Sequence, residues 1–151
     1  DDLFAGRALS ADFTGHGWRS FLGFSDSPVF DSKQAGHQLG SLARQYDFSL
    51  FEYWASDYAG HHQEMDSALE LMATFDGVLG GLLESWRNED GLILITSDHG
   101  NMEDLSTRRH TDARVPGLLI GSHHARNKFV QGLNDLTGIA PRILETVIGH
   151  S

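Results

Sequence analysis

Apolar residues recur along the chain with two different periods. Met65, Ala68, Leu69, Met72, Phe75, Leu79, Leu82, Leu83 and Trp86 follow the i, i+3, i+4, i+7 spacing of one helix face. This is the strongest helix signal in the sequence, and its stripe reads as core packing. A second helix is predicted from Asp31, as N-cap, to about Tyr46 through Ala35, Leu39, Leu42 and Ala43. Leu136 to Ile148 is a third, with Pro141 in its first turn and Gly149 as its C-cap. Strands are predicted at the aromatic-rich Phe48 to Trp54, at Leu92 to Thr96 just after Gly91, and at Leu118 to Ile120. The unbroken apolar run at 92–96 suits a central strand covered on both faces. Residues 1–30 are rich in Gly, Asp, Ser and Phe and read as irregular. Helices alternate with strands, so the expected class is α/β, a mainly parallel sheet flanked by helices. No repeat or low-complexity tract interrupts the pattern, and residues 1–151 are expected to form a single domain.

Composition narrows the partners. The formal net charge is -10 with 11 Lys plus Arg, which argues against nucleic acid or an anionic membrane. No apolar run is long enough to span a bilayer. No signal peptide is visible, and a cytoplasmic location is the expectation. The absence of Cys excludes disulfides and thiolate metal sites, whereas nine His residues are many for this length. The sequence begins at Asp1 rather than Met and is read as trimmed or as a fragment.

Three places carry candidate chemistry, each just after a predicted strand, where sites collect in open α/β sheets. In Ser56-Asp57-Tyr58-Ala59-Gly60-His61-His62, a carboxylate and an imidazole four residues apart can turn toward one cation. The alternative is a polar loop with a helix cap. In Thr96-Ser97-Asp98-His99-Gly100-Asn101, the Asp98 oxygen and the His99 nitrogen are good ligands for Zn²⁺ or Mn²⁺. Neighbouring side chains in an extended strand face opposite ways, so sharing one ion requires that the strand has begun to turn. Here too a cap or loop is the alternative. The third place is His110-Thr111, followed by Val115-Pro116. A lone His in a loop is ordinarily just solvated.

Taken together, in this order and spacing, the three motifs resemble the C-terminal signature of the alkaline phosphatase superfamily. They look most like cofactor-independent phosphoglycerate mutases and phosphopentomutases. The resemblance covers about Phe48 to Gly149, and Leu94 to Asn101 is its most specific stretch. It implies an alkaline-phosphatase-like core, of which this chain is the C-terminal, metal-binding portion. It also implies two divalent metal ions, Mn or Zn, with Asp57, His61 and His110 holding one and Asp98 and His99 holding the other. The family completes the second site with an Asp and a Ser or Thr nucleophile from a strand near its N-terminus, expected outside this chain. Thr14, in Asp12-Phe13-Thr14-Gly15, has no apolar strand before it and lies too near the first motif. The implied activity is phosphoryl transfer or phosphate-ester hydrolysis on a small phosphorylated substrate by double displacement, with the isolated chain a poor catalyst. Two alternatives stand beside it: a non-catalytic metal-binding or assembly module, and a sulfatase or phosphodiesterase of the same superfamily.

Other polar residues are weaker candidates. His62 neighbours the first motif, and His123 and His124 follow a strand. Asn101 is read as orienting a loop or a phosphate. Arg108 and Arg109 could grip an anion or be solvated. His16, His37 and His150 have no inferable partners.

Overall fold

A computed structural model describes residues 1–87 and 91–149, so His150 lies outside the described residues. The elements are α1 (His16–Ser20), α2 (Ser32–Ala43), α3 (Ala55–His62), α4 (Met65–Ser85), β1 (Ile93–Thr96), β2 (Gly117–Ile120), α5 (His123–Val130) and α6 (Ile139–Ile148). They fall into two compact units. The first comprises Asp1–Trp86 and Asn101–Thr111, and the second Arg87–Gly100 and Asp112–Ser151. Among the described residues no helix is long and apolar enough to cross a membrane.

In the first unit, α2 begins where its cap predicts. The Asp31 side chain accepts from the Gln34 N–H, and the Gln34 side chain accepts from the Asp31 N–H, a reciprocal box that satisfies two orphan donors. α2 packs along α4 through glycines on both helices. A Cβ on Gly36 would overlap the Val78 carbonyl, and one on Gly81 would overlap the Lys33 carbonyl. The two backbones therefore approach more closely than side chains would permit. This contact selects which face of α4 is buried: Ala68, Val78, Gly81 and Leu82 go inside. The predicted stripe is only partly core, because Met65, Leu69 and Met72 are at least half exposed. Periodicity located the helix but overstated the width of its buried face.

Ala35 and Val78 join Phe13 in the core, with Phe30, Leu39, Phe51, Tyr53 and Phe75 packed around them. Phe13 stacks on Phe51 at 4.3 Å between ring centroids. Burial, together with the nearby Asp12 charge, pushes the Tyr53 hydroxyl up to about 12. Phe51 and Tyr53 explain why residues 48–54 read as a strand. Their i, i+2 spacing sends both rings to one side, as extended backbone does. The segment is not a strand, however, since it has no ladder partner among the described residues. The chain turns directly from it into α3.

The second unit contains the sheet. β1 and β2 pair antiparallel, with Ile93 opposite Ile120 and Thr96 opposite Gly117. The mainly parallel sheet expected from the sequence is thus not what the described residues form. The chain enters β2 beside the end of β1 that it left, and a parallel pair would need a crossover to the opposite end. Nor is 92–96 covered on both faces, for none of its residues is buried. The Ser122 hydroxyl caps α5 by accepting from the Ala125 N–H, and α5 packs on α6. A 3₁₀ turn, Leu136–Gly138, precedes α6, which holds Pro141 in its first turn and ends at Gly149 as predicted.

The glycine contact yields a matched pair of substitutions. Gly80 faces open space, with nothing near the position of an added Cβ. Gly80→Ala should stabilise by about 0.5–1 kcal/mol through helix propensity alone. Gly81→Ala should destabilise by roughly 1–3 kcal/mol, because the methyl forces α2 and α4 apart. Urea unfolding of both variants beside the parent checks this. Equal effects at the two positions would show that α2 and α4 are not in close contact.

Candidate metal centre

α3 explains the first motif. Asp57 and His61 are four residues apart and so share one helix face. Asp57 lies in the first turn, where the helix dipole favours a negative charge. His61 Nε2 stands 3.4 Å from Asp57 Oδ2. His110, from the segment 101–111 of the same unit, brings its Nε2 to 3.3 Å from Asp57 Oδ1 and 3.2 Å from His61 Nε2. The three side chains are about a third to a half exposed, which leaves the cluster open to solvent. Donor atoms around a tetrahedral cation bound at about 2.0–2.1 Å lie about 3.3–3.4 Å from one another. The spacing here matches that edge length, so this carboxylate and these two imidazoles could hold one divalent cation.

The tautomer of His61 is set by its neighbour. His61 Nδ1 lies 2.7 Å from the Arg108 carbonyl, which can only accept, so Nδ1 carries the hydrogen. In the neutral ring the Nε2 lone pair then points into the cluster, the arrangement a metal ligand requires. The α3 C-cap, Gln63, has a left-handed backbone with φ 60, and its N–H closes the helix onto Ala59 and Gly60. Its side chain bridges to the 101–111 segment, donating to the Leu105 carbonyl at 2.9 Å and accepting from Arg108 Nε at 3.1 Å.

Asn101 and Glu103 complete the frame. Asn101 Nδ2 donates to Asp57 Oδ1 at 2.6 Å and to the Asp57 carbonyl at 3.2 Å. The Glu103 carboxylate accepts from the Asn101 N–H at 2.7 Å and from the Thr111 hydroxyl. The bond from Thr111, with the backbone N–H groups of Glu103 and Asn101, holds the Glu103 carboxyl below its usual range.

The second motif sits at the end of β1. Residues 98 and 99 form a bend rather than continuing the strand, which meets the condition for neighbouring side chains to approach. Asp98 Oδ1 and His99 Nε2 are 3.6 Å apart, and Asp98 is largely exposed.

Several weaker candidates have other roles. Asp12 accepts from the backbone N–H groups of Gly15 and Gly17 at the start of α1, and from the Ser10 hydroxyl. Burial raises its pKa, but these hydrogen bonds outweigh burial and leave it lowered. The Asp12-Phe13-Thr14 stretch is thus a helix entry, with Thr14 Oγ1 accepting from the His16 N–H at 3.4 Å. His62 stacks on Tyr58, with Nδ1 2.9 Å from the Tyr58 carbonyl. His37 meets Glu84 at 3.2 Å, and Lys33 meets the same carboxylate at 2.7 Å. His124 lines a cavity of about 260 Å³ with Ser122, Lys128 and Thr146. Gln63 and Glu103 carry no signal of their own in the sequence, Gly60 is marked there only as the glycine between Asp57 and His61, and Arg108 reads as either gripping an anion or solvated. Its carbonyl and its contact with Gln63 are what the structure uses.

Comparison with known proteins agrees with the motifs. The family model described as "Metalloenzyme superfamily" matches residues 29–149. A protein of Acaryochloris marina (strain MBIC 11017) is 30% identical over 133 residues, covering 80% of this chain and 25% of that protein. One of Clostridium novyi (strain NT) is 32% identical over 110 residues, covering 68% and 21%. One of Thiobacillus denitrificans (strain ATCC 25259 / T1) is 31% identical over 109 residues, also covering 68% and 21%. All three are named 2,3-bisphosphoglycerate-independent phosphoglycerate mutase. The chain spans about a quarter of the length of these relatives. No solved structure matches it significantly. The resemblance drawn from the three motifs is therefore borne out at the level of the superfamily, and the chain belongs to the metalloenzyme superfamily.

Proposed function

We propose that this chain supplies a divalent-cation site to a metal-dependent phosphoryl-transfer enzyme of the phosphomutase type, with Asp57, His61 and His110 as the ligands. The observation that carries the proposal is the convergence of two imidazole nitrogens and a carboxylate within 3.2 to 3.4 Å, although nearly fifty residues separate His110 from His61. One hard oxygen and two imidazole nitrogens suit Zn²⁺ and are compatible with Mn²⁺. Asp98 and His99 are proposed as partial ligands of a second ion. Bound divalent ions would supply Lewis-acid stabilisation of a phosphoryl group and would acidify an attacking hydroxyl.

The chain's own residues prepare the first site. Asp57 provides negative charge to offset a cation in a solvent-open position. The Arg108 carbonyl keeps the His61 hydrogen on Nδ1, and the 101–111 segment brings His110 to the α3 face. The substrate in this reading is a small phosphorylated molecule, as the names of the relatives suggest. No residue of this chain is assigned as the nucleophile.

Metal should bind the folded arrangement and stabilise it. Saturation at about a hundred times Kd adds roughly 2.7 kcal/mol, which is a rise of several degrees in Tm for a chain of this size. Melting is measured in EDTA and with Zn²⁺ or Mn²⁺ for the parent, Asp57→Asn and Asp98→Asn. The expected result is a rise that shrinks more in Asp57→Asn, since that site has more of its ligands here. An equal rise in all three would place the cation elsewhere.

A hydrolysis assay separates binding from catalysis. With p-nitrophenyl phosphate and added Mn²⁺ or Zn²⁺, the chain alone should show negligible turnover. Turnover that vanishes in Thr14→Ala would instead make Thr14 a nucleophile.

A further inference from the structure

We infer that Asn101 is the positioning residue of the Asp57–His61–His110 cluster, and that Gly60 is the socket that receives it. This rests on the metal-site reading above and names how the site is held in shape without its ion.

Asn101 is buried, at 6% exposure, whereas the Asp57 side chain it holds is 36% exposed. Both hydrogen bonds of its Nδ2 go to Asp57, one to the carboxylate at 2.6 Å and one to the main-chain carbonyl at 3.2 Å. A donor that spans a residue's backbone and side chain fixes the one relative to the other. This matters because the last torsion of an Asp side chain is otherwise broad. With Oδ1 held by Asn101, that oxygen stays 3.3 Å from His110 Nε2 and Oδ2 stays 3.4 Å from His61 Nε2.

The other end of the amide explains Gly60. Asn101 Oδ1 is buried without a hydrogen-bond partner among the described residues. It lies over Gly60 on α3, where a Cβ would overlap the amide's Oδ1 and Cγ. Gly60 is one turn of helix from Asp57 and is itself buried, so the helix presents its carboxylate and an amide-sized recess together. The loop then closes on itself. Glu103 accepts from the Asn101 N–H and from the hydroxyl of Thr111, which follows His110 in the chain. One short segment therefore aims Asp57 at its first residue and delivers His110 near its last. Groups that orient a ligand in this way commonly change metal affinity about ten- to a hundredfold when removed.

The test is calorimetric titration of the 151-residue chain with Mn²⁺, beside metal-free melting of each protein. The proteins are the parent, Asn101→Ala, Asn101→Leu, Gly60→Ala and the double variant Gly60→Ala/Asn101→Ala. Asn101→Leu keeps the volume over Gly60 and removes the donor. All three single variants should bind Mn²⁺ about ten- to a hundredfold more weakly. The double variant should bind no more weakly than Asn101→Ala alone, because the added methyl then has no amide to expel. Unchanged affinity in Asn101→Leu would overturn the inference, as it would mean that packing and not the hydrogen bond matters. So would losses that multiply in the double variant, since Gly60 would then act independently of Asn101. A parent that binds no Mn²⁺ would sink the metal-site reading itself, and this inference with it. Metal-free melting separates lost affinity from lost fold. The inference expects the Asn101→Leu affinity to fall even at concentrations and temperatures where that variant is fully folded.

Discussion

Everything at the candidate site depends on how the 101–111 segment is held to α3. The partners are more than forty residues apart in the chain, joined by Asn101 to Asp57, Gln63 to Leu105 and Arg108, and His61 to the Arg108 carbonyl. Closing a connection of this length costs entropy, but the cost grows only slowly with the number of residues. Net hydrogen-bond contributions of about 1 kcal/mol each can offset it when several act together. The same bonds that hold the segment also aim the side chains, so shape and site share one set of contacts. α4 supports them from below, because its packing against α2 and α3 fixes where α3 lies within the first unit.

Long periodic elements were legible from the sequence. α4 and α2 announce themselves by apolar spacing and, in α2, by the Asp31 cap. Short helices were not. α3 has eight residues, of which only Ala59 and Gly60 are buried, so its pattern carries too few apolar positions to show a period. α5 buries Phe129 alone and is marked mainly by the Ser122 cap. The stretch before α3 misled in the opposite direction, since aromatic residues serving the core at alternate positions look like a strand wherever they occur. The parallel sheet failed for a related reason. An apolar run such as 92–96 declares that a strand exists, but neither its direction nor its partner is written in its own residues.

The site was legible by residue type and only partly by geometry. Asp57, His61 and His110 stood out because an Asp, a His four residues on and a later His-Thr match a known family pattern, and the structure brings them together. Asp98 and His99 do approach one another, but the structure of that unit adds little to what the motif implied. What the sequence reading lacked was the frame. A backbone carbonyl such as that of Arg108 has no signature of its own. Gly60 reads as a generic flexible residue until the Asn101 amide is seen above it. Gln63 looks like an ordinary surface residue, yet its left-handed backbone and bridging side chain close α3 and pin the segment at once.

The central claim is that His61 and His110 present their Nε2 atoms to one ion beside Asp57. The most direct measurement is ¹⁵N nuclear magnetic resonance of the histidine rings during titration with diamagnetic Zn²⁺ at neutral pH. The account predicts that the Nε2 resonances of His61 and His110 shift together and reach their end point at the same added equivalent. His61 should keep its hydrogen on Nδ1 throughout, bonded to the Arg108 carbonyl. Separate titration of the two rings, or coordination of His61 through Nδ1, would contradict it.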